Sequence, residues 1–71
     1  MSTPSLRWND AEDIAEALVA AHSNVDPLAV RFTDLHRWVC ALPEFADDPK
    51  ASTEGALERI QMAWVELRTE E

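Results

Sequence analysis

The chain has 71 residues, with fourteen Asp and Glu against six Lys and Arg and a formal net charge of −8. That balance argues against binding nucleic acid or an anionic membrane surface, because both need clustered Lys and Arg and none are present. One domain fits this length; it buries only about 60% of its unfolded surface and leaves little room for a deep catalytic cavity.

An apolar share of 46%, with three Trp and two Phe, marks a folded domain rather than an acidic disordered tail. The single Cys permits no intramolecular disulfide and no paired-cysteine zinc or redox motif. The first seven residues lack the apolar core of a signal peptide, and no apolar run approaches spanning length, so the expected compartment is the cytoplasm. The acidic excess is uneven. Asp10, Glu12, Asp13, Glu16 and Asp26 form one block, and Glu44, Asp47, Asp48, Glu54 and Glu58 another. The stretch between them is slightly basic, with Arg31 and Arg37 against Asp34. Two acidic blocks suit a positive partner, either a basic protein surface or a cation.

Residues 1–5 read as a flexible tail, 6–67 as the domain and 68–71 as a frayed end. Leu6-Arg7-Trp8 is a short extended lead-in, with Trp8 expected to pack over the first helix. That helix is predicted from about Asp10 to Ala21, with Asn9 as N-cap and Glu12 completing a capping box. Ile14, Ala17, Leu18 and Ala21 form its buried stripe by the i, i+3, i+4, i+7 rule. Asp26-Pro27 opens a short second element, Asp as cap and Pro at the first helical position, with Val25 and Val30 as a hydrophobic staple. Phe32-Thr33-Asp34 reads as a break and restart with Thr33 as the next cap. A third helix follows over about Asp34–Leu42, striped by Leu35, Trp38, Val39 and Leu42 and stopped at Pro43. Residues 43–52 form a proline-bounded loop with Phe45 tucked inward. Ser52 or Thr53 caps a last helix over about Glu54–Leu67, with Leu57, Ile60, Trp64 and Leu67 facing the core. The fold class is mainly α: a small helical domain with little or no sheet and a helix-turn-helix-like corner around residues 26–42.

The loop acids Glu44, Asp47 and Asp48, with Glu54 beyond, offer hard oxygen ligands for a divalent cation. Their spacing is not that of an EF-hand, and a solvated charge run explains them at least as well. On the first helix, Glu12 and Glu16 are i, i+4 neighbours and Asp13 and Glu16 are i, i+3 neighbours. Such like charges cost a few tenths of a kcal/mol each in an isolated helix. Tolerating that cost fits a docking surface, although an acidic first turn is also common for dipole reasons. His36 and Cys40, at i, i+4, have metal-ligand spacing, but two ligands make no site; a flank histidine and a partly buried cysteine are the expectation. Arg31 and Asp34 are spaced to pair across a turn, with plain turn architecture as the simpler account. Nothing marks a general acid or base, so no enzyme is expected.

The segments Leu6-Arg7-Trp8-Asn9-Asp10, Ile14-Ala15-Glu16-Ala17-Leu18, Asp26-Pro27, Val30-Arg31-Phe32-Thr33-Asp34-Leu35-His36-Arg37-Trp38, Phe45-Ala46-Asp47-Asp48-Pro49, Ala51-Ser52 and Leu57-Glu58 stand in register along the chain. Together they resemble the IscX family, the small acidic proteins of the bacterial iron–sulphur cluster (ISC) assembly system. The resemblance implies a modified winged-helix fold. It also implies a monomeric, non-enzymatic adaptor or regulator that docks through acidic surfaces on the cysteine desulfurase and meets the cluster scaffold protein only indirectly. Carried onto this chain, the partner-binding candidates are Asp10, Asp13, Glu16, Asp34, Glu44, Asp47, Asp48 and Glu54. Weak Fe²⁺ binding falls to Glu44, Asp47, Asp48 and Glu54, with no tightly bound cofactor. Ala46 stands where members often carry another acid, which takes a ligand from the loop but leaves docking intact, since docking sums over many charges. The alternatives are a ferrous iron carrier and, against the charge, a helix-turn-helix nucleic-acid binder.

Overall fold

The structure, a computed structural model, describes residues 5–69. The expected tail at 1–4 and the last two residues of the expected fray, 70–71, lie outside them. The described residues form three α-helices, α1 (Ala11–Ala21), α2 (Phe32–Ala41) and α3 (Glu54–Thr69). Single 3₁₀ turns at Pro27–Ala29 and Pro49–Ala51 precede α2 and α3. α1 packs chiefly on α3, while α2 touches both more lightly. The domain is mainly α, and its one β-type pairing among the described residues is an isolated parallel bridge between Leu6 and Phe45.

Three stripes meet in one core. Ile14, Ala15 and Leu18 come from α1, Leu35 and Val39 from α2, and Leu57, Ile60 and Trp64 from α3, closed by Leu6, Trp8 and Leu42. Full burial of each larger aliphatic side chain contributes about 1.5–3 kcal/mol. Ala17 and Leu67 pack on the edge of this cluster, and Ala21 is exposed. Val25 and Val30 both rest against the core, flanking the Pro27–Ala29 turn as a staple would.

The helix starts differ from expectation in two places. The N-cap of α1 is Asp10, not Asn9, and no side chain caps it. Asp10 instead turns its carboxylate back on the Arg7 N–H at 3.0 Å, closing a tight turn in which the Asp10 N–H also donates to the Arg7 carbonyl at 2.9 Å. This local bond, reaching back three residues, wins over the capping box. Nor does Thr33 restart the chain: α2 begins at Phe32 with Arg31 as N-cap. The break lies at Val30 and Arg31, both extended (ψ 130° and 151°), and the Leu35 N–H already reaches the Arg31 carbonyl at 2.8 Å. At its other end, Leu42 is extended (ψ 134°), as a residue before proline must be.

Two caps follow their sequence signals. Asp26 accepts from the Leu28 N–H at 3.0 Å with Pro27 at the first position. Thr53, rather than Ser52, caps α3, its Oγ1 accepting from the Ala56 N–H at 3.1 Å. α3 continues through Thr69, with the Arg68 guanidinium donating to the Val25 carbonyl and Gln61 donating to the Pro27 carbonyl at 2.8 Å. These two side chains tie α3 to the turn that precedes α2.

Candidate functional site: an acidic loop stitched to the start of the first helix

The Leu6–Phe45 bridge sets this site. The Leu6 N–H donates to the Glu44 carbonyl and the Ala46 N–H to the Leu6 carbonyl, both at 2.9 Å. This lays the lead-in to α1 along the proline-bounded loop. Two residues on, the Trp8 N–H donates to Asp47 Oδ2 at 3.0 Å and the indole N–H to the Asp48 carbonyl at 2.7 Å. Asp47 Oδ1 accepts from the Asp48 N–H at 2.7 Å, and Asp48 Oδ1 from the Lys50 N–H at 2.9 Å. Asp48 thereby caps the Pro49–Ala51 turn just as Asp26 caps the earlier one. The bonds from Trp8 and Asp48 to an ionised carboxylate, aided by nearby Arg7, hold the Asp47 carboxyl below its usual range.

Trp8 is buried, and its ring partners are His36 and Phe45. The imidazole of His36 stacks on it (centroids 5.3 Å apart, planes 21° apart) and Phe45 meets it edge-on at 4.9 Å. His36 Nε2 lies 2.6 Å from the Pro49 carbonyl, so α2 also reaches the loop. The Cys40 thiol sits 3.9 Å from both His36 ring nitrogens, and partial burial pushes it up from its ordinary pKa. The pair at 36 and 40 thus belongs to the packing between α2 and the loop. His22, the other imidazole, stacks on Trp38 at 4.2 Å, far along the fold beside Trp64.

The remaining candidate acids are dispersed around this node. Asp13 and Glu16 are exposed on α1 with Glu12, and Asp10 is half-buried at its start. Glu12 and Glu16 line a groove with Glu66 of α3, floored by Ala63 and Leu67. Glu66 is an acid that the charge blocks do not single out, although Arg59, Met62, Ala63 and Glu66 share one helical face by the same i, i+3, i+4, i+7 rule. Asp34 is paired with Arg37 at 3.0 Å on α2, not with Arg31. Glu44 is half-buried, with its main chain in the bridge, and Glu54 is exposed in the first turn of α3. Among the described residues no three His, Cys, Asp or Glu side chains are gathered to hold a metal ion.

The architecture is therefore a surface rather than a cleft: carboxylates fixed by backbone N–H groups in the loop and free ones on the adjoining helix. Among the described residues no helix is long and apolar enough to cross a membrane. The profile of a family described as iron–sulphur cluster assembly matches residues 6–69. An uncharacterized protein of Pseudomonas aeruginosa is 53% identical over 64 residues, covering 90% of this chain and 97% of that protein. The matched span begins at Leu6 and takes in the bridge, the loop and all three helices, and on that ground the chain belongs to the iron–sulphur cluster assembly family.

Proposed function

We propose that this protein is a non-enzymatic adaptor of iron–sulphur cluster assembly that docks by its acidic surface on a basic patch of the cysteine desulfurase and regulates sulphur delivery. The observation that carries this reading is the stitch at Leu6–Trp8. It ties the acidic loop to the start of α1, so that two blocks distant in sequence adjoin in the fold. Exposed Asp13, Glu16 and Glu54 supply free charge, and Asp10, Glu44, Asp47 and the capping Asp48 add to the same field. Electrostatic complementarity of this kind governs encounter rate and partner choice. The protein acts as a monomer in the cytoplasm and meets the scaffold protein only through the desulfurase. Mixing it with the desulfurase across a salt series tests the reading. Affinity should fall steeply as salt rises; absent or salt-insensitive binding overturns it.

A second reading is weak ferrous iron carriage at Glu44, Asp47, Asp48 and Glu54, with iron as cargo. It is favoured by the placing of Glu44, Asp47 and Asp48 on one proline-bounded loop just before Glu54 opens α3. Oxygen ligands without a preformed cage imply weak, fast-exchanging binding. Anaerobic Fe²⁺ titration followed by NMR should broaden the loop amides first; amides left sharp through the titration rule it out.

A further inference from the structure

We infer that His36 is a latch on the acidic loop, a positioning residue that holds Asp47 and Asp48 in the shape presented to a basic partner; the inference rests on the docking reading above. The loop is held from two sides. From the N-terminal side Trp8 grips it with its main-chain and indole N–H groups. From the α2 side there is His36, whose Nε2 lies 2.6 Å from the Pro49 carbonyl, one residue past Asp48. A carbonyl oxygen only accepts, so Nε2 carries the proton and His36 is the donor. The same ring stacks on Trp8, so the two grips brace each other.

The bond also sits at a sensitive point. Pro49 opens the turn that Asp48 caps, and its own nitrogen donates nothing. The capped turn is a single turn of 3₁₀ helix, too short to hold itself. Beyond its one internal bond, from the Ala51 N–H to the Asp48 carbonyl at 3.0 Å, its geometry depends on the cap at Lys50, the grip of Trp8 and the latch of His36. Without the latch the Pro49 carbonyl is free to swing, and Asp48 with it. A loop that must be ordered on docking binds more weakly than one already ordered.

The test compares His36→Leu, which keeps an apolar body without the donor, with His36→Gln, whose terminal amide places an N–H near the position of Nε2. Amide exchange of Asp48, Lys50 and the Trp8 indole is measured in the free protein, and affinity is measured for the purified cysteine desulfurase. His36→Leu should speed exchange at those groups, leave the α1 and α3 amides protected and weaken binding roughly three- to tenfold, the loss expected for one hydrogen bond. His36→Gln should restore most of both. Unchanged exchange in His36→Leu overturns the latch. So does binding equal to wild type despite faster exchange, and so does a glutamine variant no better than leucine. If wild type itself fails to bind the desulfurase, the docking reading falls, and the exchange data still decide whether His36 holds the loop.

Discussion

The indole N–H of Trp8 donates to the main-chain carbonyl of Asp48 at 2.7 Å, across 40 residues of chain. One side chain thus serves as core, at 5% exposure, and as the fastening of the acidic loop. The two roles separate by substitution. Trp8→Phe keeps an aromatic ring but removes the donor, and should lower unfolding free energy by about 1–2 kcal/mol. Trp8→Ala should cost about 3–5 kcal/mol, a large share of the roughly 4–10 kcal/mol expected for a domain of this size. Urea titrations followed by circular dichroism measure both, and a phenylalanine variant as unstable as the alanine one would refute the separation.

Asp47 links stability to acidity. Its folded-state carboxyl is more acidic than its ordinary value of 3.8, chiefly because the Trp8 and Asp48 N–H groups bond the charged form. A depressed carboxyl stabilises the fold above its unfolded pKa, and that contribution is lost as pH falls through the folded one. Stability should therefore decline as pH drops toward and below 3.8, with Asp47→Asn flattening part of that decline. Urea midpoints across the acid range, taken in parallel for the two proteins, test this. Superimposable curves would show that Asp47 is not a source of the pH dependence.

The start of α3 offers two changes of opposite sign. Thr53→Ala removes the cap on the Ala56 N–H and should cost about 1 kcal/mol. Gly55 sits in the first turn at an ordinary helical φ, and a Cβ there would meet only Thr53 Oγ1 at 3.9 Å. Gly55→Ala should thus stabilise by about 0.4–1 kcal/mol through the unfolded chain. Thermal melts should move downward for the first and upward for the second, by roughly 4–8 °C per kcal/mol.

Glu16 separates stability from docking. Its carboxylate is exposed and shares one helix face with Glu12. Glu16→Gln relieves a like-charge pair and should raise stability slightly, by about 0.2–0.5 kcal/mol. On the docking proposed above, the same change should weaken desulfurase binding and make it less salt-dependent. A variant that is more stable and binds as tightly as wild type would remove Glu16 from the docking surface.

The core is legible in the sequence because it is periodic. Ile14 and Leu18, Leu35 and Val39, and Leu57, Ile60 and Trp64 all stand where the 3.6-residue repeat puts them, and all are buried. The site is less legible because its bonds are long-range. No local pattern announces that Trp8 will meet Asp47 and Asp48, or that His36 will reach Pro49. One local signal does exist: Asp48-Pro49 repeats Asp26-Pro27, and both open a single capped turn. In the second copy it is hidden by charge, since a carboxylate inside an acidic run looks like a free ligand when it is a cap. The helix starts at Asp10 and Arg31 differ from expectation for a related reason, because a side chain bonded back to the preceding turn and extended residues compete with helix capping and only the fold settles the contest.

The Leu6–Phe45 bridge also dictates an order of events during synthesis. Leu6 leaves the ribosome well before its pairing partners, Glu44 and Ala46, are made. α1, likewise, finds its chief packing surface on α3, the last of the three described helices. Until α3 is made, α1 lacks its chief packing partner, and until Asp47 and Asp48 are made the loop has nothing to fasten. Folding waits for α3, and the closing of these distant contacts sets a slower pace than three helices joined in simple succession would show.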